Sequence, residues 1–248
     1  MRDLNVLNME ISPFRDASTL PEAKEQFYNE TSKLLNQYGI RVAAFQALMF
    51  RYPEVSIFEG TTARNKILKH LRGVLEFLNQ IGATVAVFGS PKNKIRGALP
   101  HNKAIGIAKD FFIQIAEQAK IFNVIFCIEP TPTAYGADFI CNTQEAVDFV
   151  KTVGHESLKI NLDIGSSILN GEDIEKIIYK NIDYVGHVHI SEPYLKAINL
   201  NRPLHRSIAK TLDDSNYNGV VSIEMRPSDR QKIENISKII SFVKNIYQ

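Results

Sequence analysis

The chain has 248 residues, 44% of them hydrophobic and 23% charged, a balance that supplies a buried core and excludes intrinsic disorder as the main state. Twenty-nine Lys and Arg against 27 Asp and Glu leave a formal charge of +2, without the basic, aromatic-interleaved run that tracks a phosphate backbone, so no nucleic-acid partner is expected. Two cysteines, Cys127 and Cys141, make neither a disulfide framework nor a paired metal knuckle, and the absence of a leader pattern or membrane-length apolar stretch gives the expectation of a cytoplasmic protein with no membrane partner.

Short apolar runs rich in β-branched residues recur along the chain. The first, Val6 to Ile11, is followed by a helical stripe of Phe27, Thr31, Leu34, Leu35 and Tyr38 that Gly39 stops. Ile40 to Leu48 is the second run, and Ile67, Leu68, Leu71, Val74, Leu75 and Leu78 form a wide apolar helix face before Gly82. Further runs follow at Ala83 to Phe88, Val124 to Ile128, Leu158 to Leu162, Tyr184 to Ile190 and Gly219 to Ile223. A last helix carries Ile233, Ile236, Ile239, Ile240, Val243 and Ile246.

Nearly continuous apolar strands separated by helical segments point to a parallel sheet covered by helices. With no linker or composition break, the expectation is a single domain over residues 1–248, an α/β fold of the TIM-type (β/α) barrel. A doubly wound open sheet is the structural alternative, weakened by the lack of a Gly-x-Gly-x-x-Gly turn. Seven strands are one short of a closed barrel, so the first β/α unit is expected to be absent and the barrel open or distorted near its N-terminal strand. An uncovered edge there favours a homo-oligomer.

Catalytic groups in such barrels sit at the C-terminal strand ends. Here four consecutive strands end in Glu129, Asp163, His189 and Glu224. One carboxylate at a strand end is explained by capping the next helix or pairing with a lysine. Four groups converging on one barrel mouth would repel and raise one another's pKa values unless a cation neutralised them. Three carboxylates and one imidazole suit a divalent metal: Mn²⁺, with Mg²⁺ or Co²⁺ as alternatives.

Ile128-Glu129-Pro130, Leu162-Asp163-Ile164-Gly165, His187-Val188-His189-Ile190-Ser191-Glu192 and Ser222-Ile223-Glu224-Met225 resemble the sugar phosphate isomerase/epimerase family of xylose-isomerase-like TIM barrels, which includes the ketose 3-epimerases. The intervals of 34, 26 and 35 residues between the four candidate ligands are similar to that family's spacing. The run Leu7-Asn8-Met9-Glu10-Ile11-Ser12-Pro13 resembles the family's second strand. The resemblance implies a divalent-metal-dependent isomerase or epimerase of a small sugar, in which Glu129 and Glu224 are both metal ligands and the catalytic acid/base pair on opposite substrate faces. Proton transfer would run through a metal-stabilised enediolate. The family's epimerases carry a substrate-contacting His and Arg where this chain has Ser166 and Leu195, so a different substrate or reaction is expected. Glu192 matches the family.

Substrate contacts are further expected from Gln46, Ser90, Lys92, Arg96, Glu192 and His205. Each has a plain alternative: Gln46 satisfying a buried backbone group, Ser90, Lys92 and Arg96 forming a polar connection, His205 solvated in a loop. His187 is expected to face away from His189 and make a structural hydrogen bond, and Arg226 to pair with a ligand carboxylate or lie in a surface salt bridge. Two competing functions remain. One is a non-catalytic metal- or metabolite-binding barrel. The other is an endonuclease-like phosphodiesterase, which fits less well because Gln46 and Ser90 stand where that class needs further His ligands.

Overall fold

Each apolar run forms a strand: β1 (Asn8–Ile11), β2 (Arg41–Phe45), β3 (Val85–Phe88), β4 (Ile125–Ile128), β5 (Leu158–Asp163), β6 (Val185–Ile190) and β7 (Val221–Ile223). The computed structural model describes residues 4–12, 20–50, 52–226 and 233–247, with side chains at 4–12, 29–50, 52–226 and 234–247. The strands pair in chain order, β1 to β7, and every pairing is parallel. Parallel neighbours require a crossover, and helices provide it: α1 (Leu20–Tyr38), α2 (Thr61–Gln80), α3 (His101–Ile121), α4 (Thr143–Val153), α5 (Ile164–Leu169), α6 (Ile174–Asn181) and α7 (Pro203–Asp214), with α8 (Ile233–Ile246) after β7. The architecture is the expected TIM-type barrel of seven strands.

The helices cover the outside of the sheet. On α2, Ile67, Leu71, Val74, Leu75, Phe77 and Leu78 are fully or almost fully buried, each such side chain stabilising the fold by roughly 1.5–3 kcal/mol. The apolar face read for α8 lies on a helix of the same extent, whereas in the stripe read for α1 Leu34 and Tyr38 are exposed rather than buried; the side chains of Phe27 and Ile233 fall outside the described ones. Inside the barrel a separate small cluster, Ala44, Val85, Val87 and Cys127, fills the floor. Small inward residues leave room above them for polar groups at the strand ends.

Among the described residues β1 and β7 share no ladder, and a groove of about 530 Å³ lies between their edges, walled by Met9, Glu10, Val221, Ile223, Val243 and Tyr247. The barrel is therefore open beside its N-terminal strand. Two register slips interrupt the regular pairing. One lies between Met9 and Glu10 opposite β2, the other between Ile160 and Asn161 opposite β6. The second leaves Gly186 as the extra residue, where a Cβ would sit 2.7 Å from Cys127 Sγ. Among the described residues no helix is long and apolar enough to cross a membrane.

Candidate metal centre

Glu129, Asp163, His189 and Glu224 meet at the C-terminal ends of β4 to β7, each offering one ligand atom, all within 4.8 Å of one another. Imidazole Nδ1 of His189 is the hub. It lies 3.2 Å from Glu129 Oε1, 3.1 Å from Glu224 Oε2 and 3.9 Å from Asp163 Oδ2. Although buried and close to these oxygens, Nδ1 has no hydrogen-bond partner of acceptable geometry. A proton there would point between acceptors, whereas a cation would be addressed by all of them. Three hard oxygens and one imidazole nitrogen fit a divalent ion.

Electrostatics agree with that arrangement. Burial disfavours the charged form of His189, but Glu10, Glu129 and Glu224 outweigh it and raise the imidazole pKa well above its ordinary value. Burial, reinforced by Glu129, pushes the Asp163 carboxyl upward against the opposing His189 and its hydrogen bonds. Protons and divalent ions compete for the same atoms.

Asp163 both caps a helix and faces the centre. Its Oδ1 accepts from Ser166 N at the start of α5, 2.6 Å away, while Oδ2 accepts from Ser191 Oγ at 2.7 Å. Ser191 Oγ also accepts from Gly165 N, and a Cβ on Gly165 would meet the Glu192 backbone at 2.7 Å. The backbone of Ser166 thus holds a candidate ligand. Asn161 Nδ2 donates to Glu129 Oε1 at 2.9 Å, fixing that carboxylate from β5.

On the other side of His189, Nε2 lies 3.1 Å from Glu10 Oε1, and His187 Nε2 lies 3.0 Å from Glu10 Oε2. The expectation that His187 faces away is corrected here. Residues two apart in a strand share a face, and both rings turn into the barrel, at 86° to each other with centroids 5.2 Å apart. Burial would raise the Glu10 pKa, but the two imidazoles outweigh it and hold the carboxyl below the usual carboxylate range. Nothing local in the sequence marks Glu10 as a site residue. Its only signal is one acid within the run Val6 to Ile11.

A cavity of about 540 Å³ opens above the centre, and its wall includes Gln46, Ser90, Lys92, Glu129 and Glu224. Lys92 Nζ is paired with Glu54 Oε1 at 2.7 Å, both side chains largely exposed at the rim. Arg96, Glu192 and His205 are not part of this wall and are held by other partners. Arg96 donates from Nε to Asp138 O and from Nη1 to Leu99 O, while Asp138 accepts the backbone N–H groups of Arg96 and Gly97. Glu192 is buried with Arg202 Nη2 at 3.0 Å and His205 Nε2 at 3.2 Å. His205, fully buried rather than in a solvated loop, has its pKa lowered by burial despite Glu192. Leu195 sits in a turn with Tyr194, both at positive φ, its carbonyl accepting from Arg226 N.

Lys94, two residues beyond Lys92, is fully buried, donating to Glu129 O and lying 3.4 Å from Thr131 Oγ1. Burial lowers its pKa from 10.5 to about 8 against the attraction of Glu129. Between those values the unfolded chain binds the extra proton, so stability rises with pH across the window. Relative to Lys94→Met, the metal-free wild type is expected to gain on the order of 1–3 kcal/mol from pH 8 to pH 10.5, followed by urea unfolding. A wild-type-to-variant difference that stays flat across the window would refute this.

With the geometry in place, comparison with known proteins identifies its setting. Residues 8–246 match the family described as xylose isomerase-like TIM barrel. The chain belongs to this family. A D-psicose 3-epimerase from Ruminiclostridium cellulolyticum is 33% identical over 112 residues, which is 45% of this chain and 38% of that protein's length. The structure of D-psicose 3-epimerase with D-tagatose from Clostridium cellulolyticum superposes with a TM-score of 0.80 at 19% identity, covering 100% of this chain and 91% of the other. An IolI protein with a bound zinc atom gives a TM-score of 0.71 at 18% identity, covering 99% of this chain and 88% of that one. At these identities the likeness to the two solved structures is one of fold.

Proposed function

We propose that this protein is a divalent-metal-dependent isomerase or epimerase of a small sugar or sugar derivative. The observation that carries the reading is a division within the four candidate ligands. Glu129 and Glu224 line the cavity and keep 17% and 21% of their side chains exposed, whereas Asp163 and His189 keep 5% and 0%. Two ligands are only anchors, and two are also open to a substrate. Glu129, Asp163, His189 and Glu224 would hold the ion, which would supply Lewis acidity toward a hydroxyketone.

The chain's own residues then handle the proton. A carboxylate within reach of the carbon beside the carbonyl acts as general base, and the second carboxylate protonates the resulting enediolate. Delivery to the same carbon from the other face gives an epimer, and delivery to the neighbouring carbon gives an isomer. Asn161 orients the Glu129 carboxylate through its 2.9 Å hydrogen bond. Gln46, Ser90 and Lys92 stand on the cavity wall to receive sugar hydroxyls. The D-psicose 3-epimerase relative supports the ketose class, through an alignment spanning 38% of its length.

The test is solvent exchange. Protein reconstituted with Mn²⁺ is incubated in deuterated water with free and phosphorylated ketoses, and deuterium beside the carbonyl is read by NMR. Incorporation together with a new epimer or isomer is the expected result, with about one ion per chain by elemental analysis. An ion-loaded protein that exchanges no ketose proton would leave a metal-binding barrel without this chemistry.

A further inference from the structure

Glu10 lies outside the four strand-end groups, and the proposed proton transfer does not use it. Its carboxylate is divided between two imidazoles, with Oε2 at 3.0 Å from His187 Nε2 and Oε1 at 3.1 Å from His189 Nε2. Both rings are fully buried and the Glu10 side chain is 5% exposed. An ionised carboxylate only accepts hydrogen bonds, so each imidazole brings an N–H to it. For His189 this fixes one proton on Nε2, so that an ion displacing the proton from Nδ1 meets a lone pair facing Glu129 and Glu224. A neutral ring with its proton on Nδ1 would set a lone pair against Glu10 and an N–H where a cation belongs.

We propose that Glu10 is a positioning residue: it locks His189 in the Nε2–H tautomer and fixes its ring, so that Nδ1 is presented to a divalent ion at the four-strand centre. His187 occupies the second carboxylate oxygen and keeps Glu10 from turning. The inference rests on the metal-dependent reading of the site and adds to it a residue from the opposite edge of the sheet. Outer partners of this kind raise ligand basicity and fix ring orientation. Glu10, His187 and His189 also have the composition to hold an ion of their own, but their facing atoms are already matched in hydrogen bonds. Nδ1 of His189, by contrast, has no such partner.

Glu10→Gln is the informative substitution. An amide offers one acceptor and one donor where the carboxylate offers two acceptors, so it lacks the charge that raises the basicity of His189, and in one of its two orientations His189 must turn a lone pair toward it and carry its proton on Nδ1. Calorimetric Mn²⁺ titration of the full chain is expected to show affinity about 10–100-fold weaker in Glu10→Gln, at one ion per chain and with cooperative thermal unfolding retained. Long-range ¹H–¹⁵N NMR of the Mg²⁺-loaded wild type, with His189 assigned by loss of the His187 signals in His187→Gln, is expected to place the His189 proton on Nε2.

Unchanged affinity in a folded Glu10→Gln protein would overturn the proposal, as would a His189 proton on Nδ1 in the loaded wild type. Two ions per chain, one of them lost in the variant, would make Glu10 a ligand instead and also overturn it. If the variant does not fold, the wild-type nitrogen spectrum decides alone. Neither readout depends on turnover, so absent ketose exchange leaves this inference standing. A wild type that takes up neither Mn²⁺ nor Mg²⁺ would overturn both it and the metal-dependent reading.

Discussion

Gly89→Ala is expected to cripple the site while leaving the fold intact. A Cβ on Gly89 would lie 1.7 Å from Glu129 Oε2 and 2.9 Å from its Cδ, far inside contact distance. The backbone of Gly89 is not in the left-handed region, so alanine meets no conformational penalty and the clash acts on Glu129 alone. That carboxylate is the movable end of a side chain, so it yields, leaving the Asn161 hydrogen bond and withdrawing Oε1 from His189 Nδ1. Mn²⁺ affinity should fall about 10–100-fold, and turnover by at least roughly 10²-fold, the usual effect of an ångström-scale misplacement. Thermal unfolding should shift little. Wild-type Mn²⁺ affinity in the alanine protein would contradict the close packing of Glu129 on Gly89.

The elements were legible because burial is periodic. Helix α8 begins and ends where its isoleucine stripe does, and β5 begins at the first residue of its apolar run. The four strand ends were legible for the same reason, since a polar residue closing an apolar run stands out. What stayed hidden depends on partners far apart in the chain. Glu10 meets His187 and His189 across 177 and 179 positions, and no local pattern encodes that.

The partners of Arg96, Asp138 and the carbonyl of Leu99, are likewise not visible in a polar connection. Lys92 and Lys94 lie in one 3₁₀ turn that sends the first to solvent and the second into the wall behind Glu129. The register slips are equally silent in the sequence. An extra residue in a strand changes which side chains face inward, and the extra residues here are Ala43 on β2 and Gly186 on β6.

Glu224→Gln is expected to separate proton exchange from conversion. The amide keeps the size of the carboxylate and one oxygen for an ion, so metal is retained, but it cannot take up a proton at neutral pH. In the proposed reaction each glutamate serves one face of the substrate carbon. With Glu129 as the remaining base, one epimer loses its proton to Glu129 and recovers a solvent deuteron on the same face. It therefore exchanges without changing configuration, while the other epimer stays unlabelled. Net conversion should drop about 10²–10⁴-fold. Glu129→Gln should reverse the pattern, labelling only the second epimer, although the loss of the Asn161 contact to a charged oxygen should make its metal affinity the weaker of the two. Mass spectrometry of the recovered sugars distinguishes the cases. Labelling of both epimers in either single variant would show that one base reaches both faces, and the paired-glutamate mechanism would have to be abandoned even with the metal centre intact.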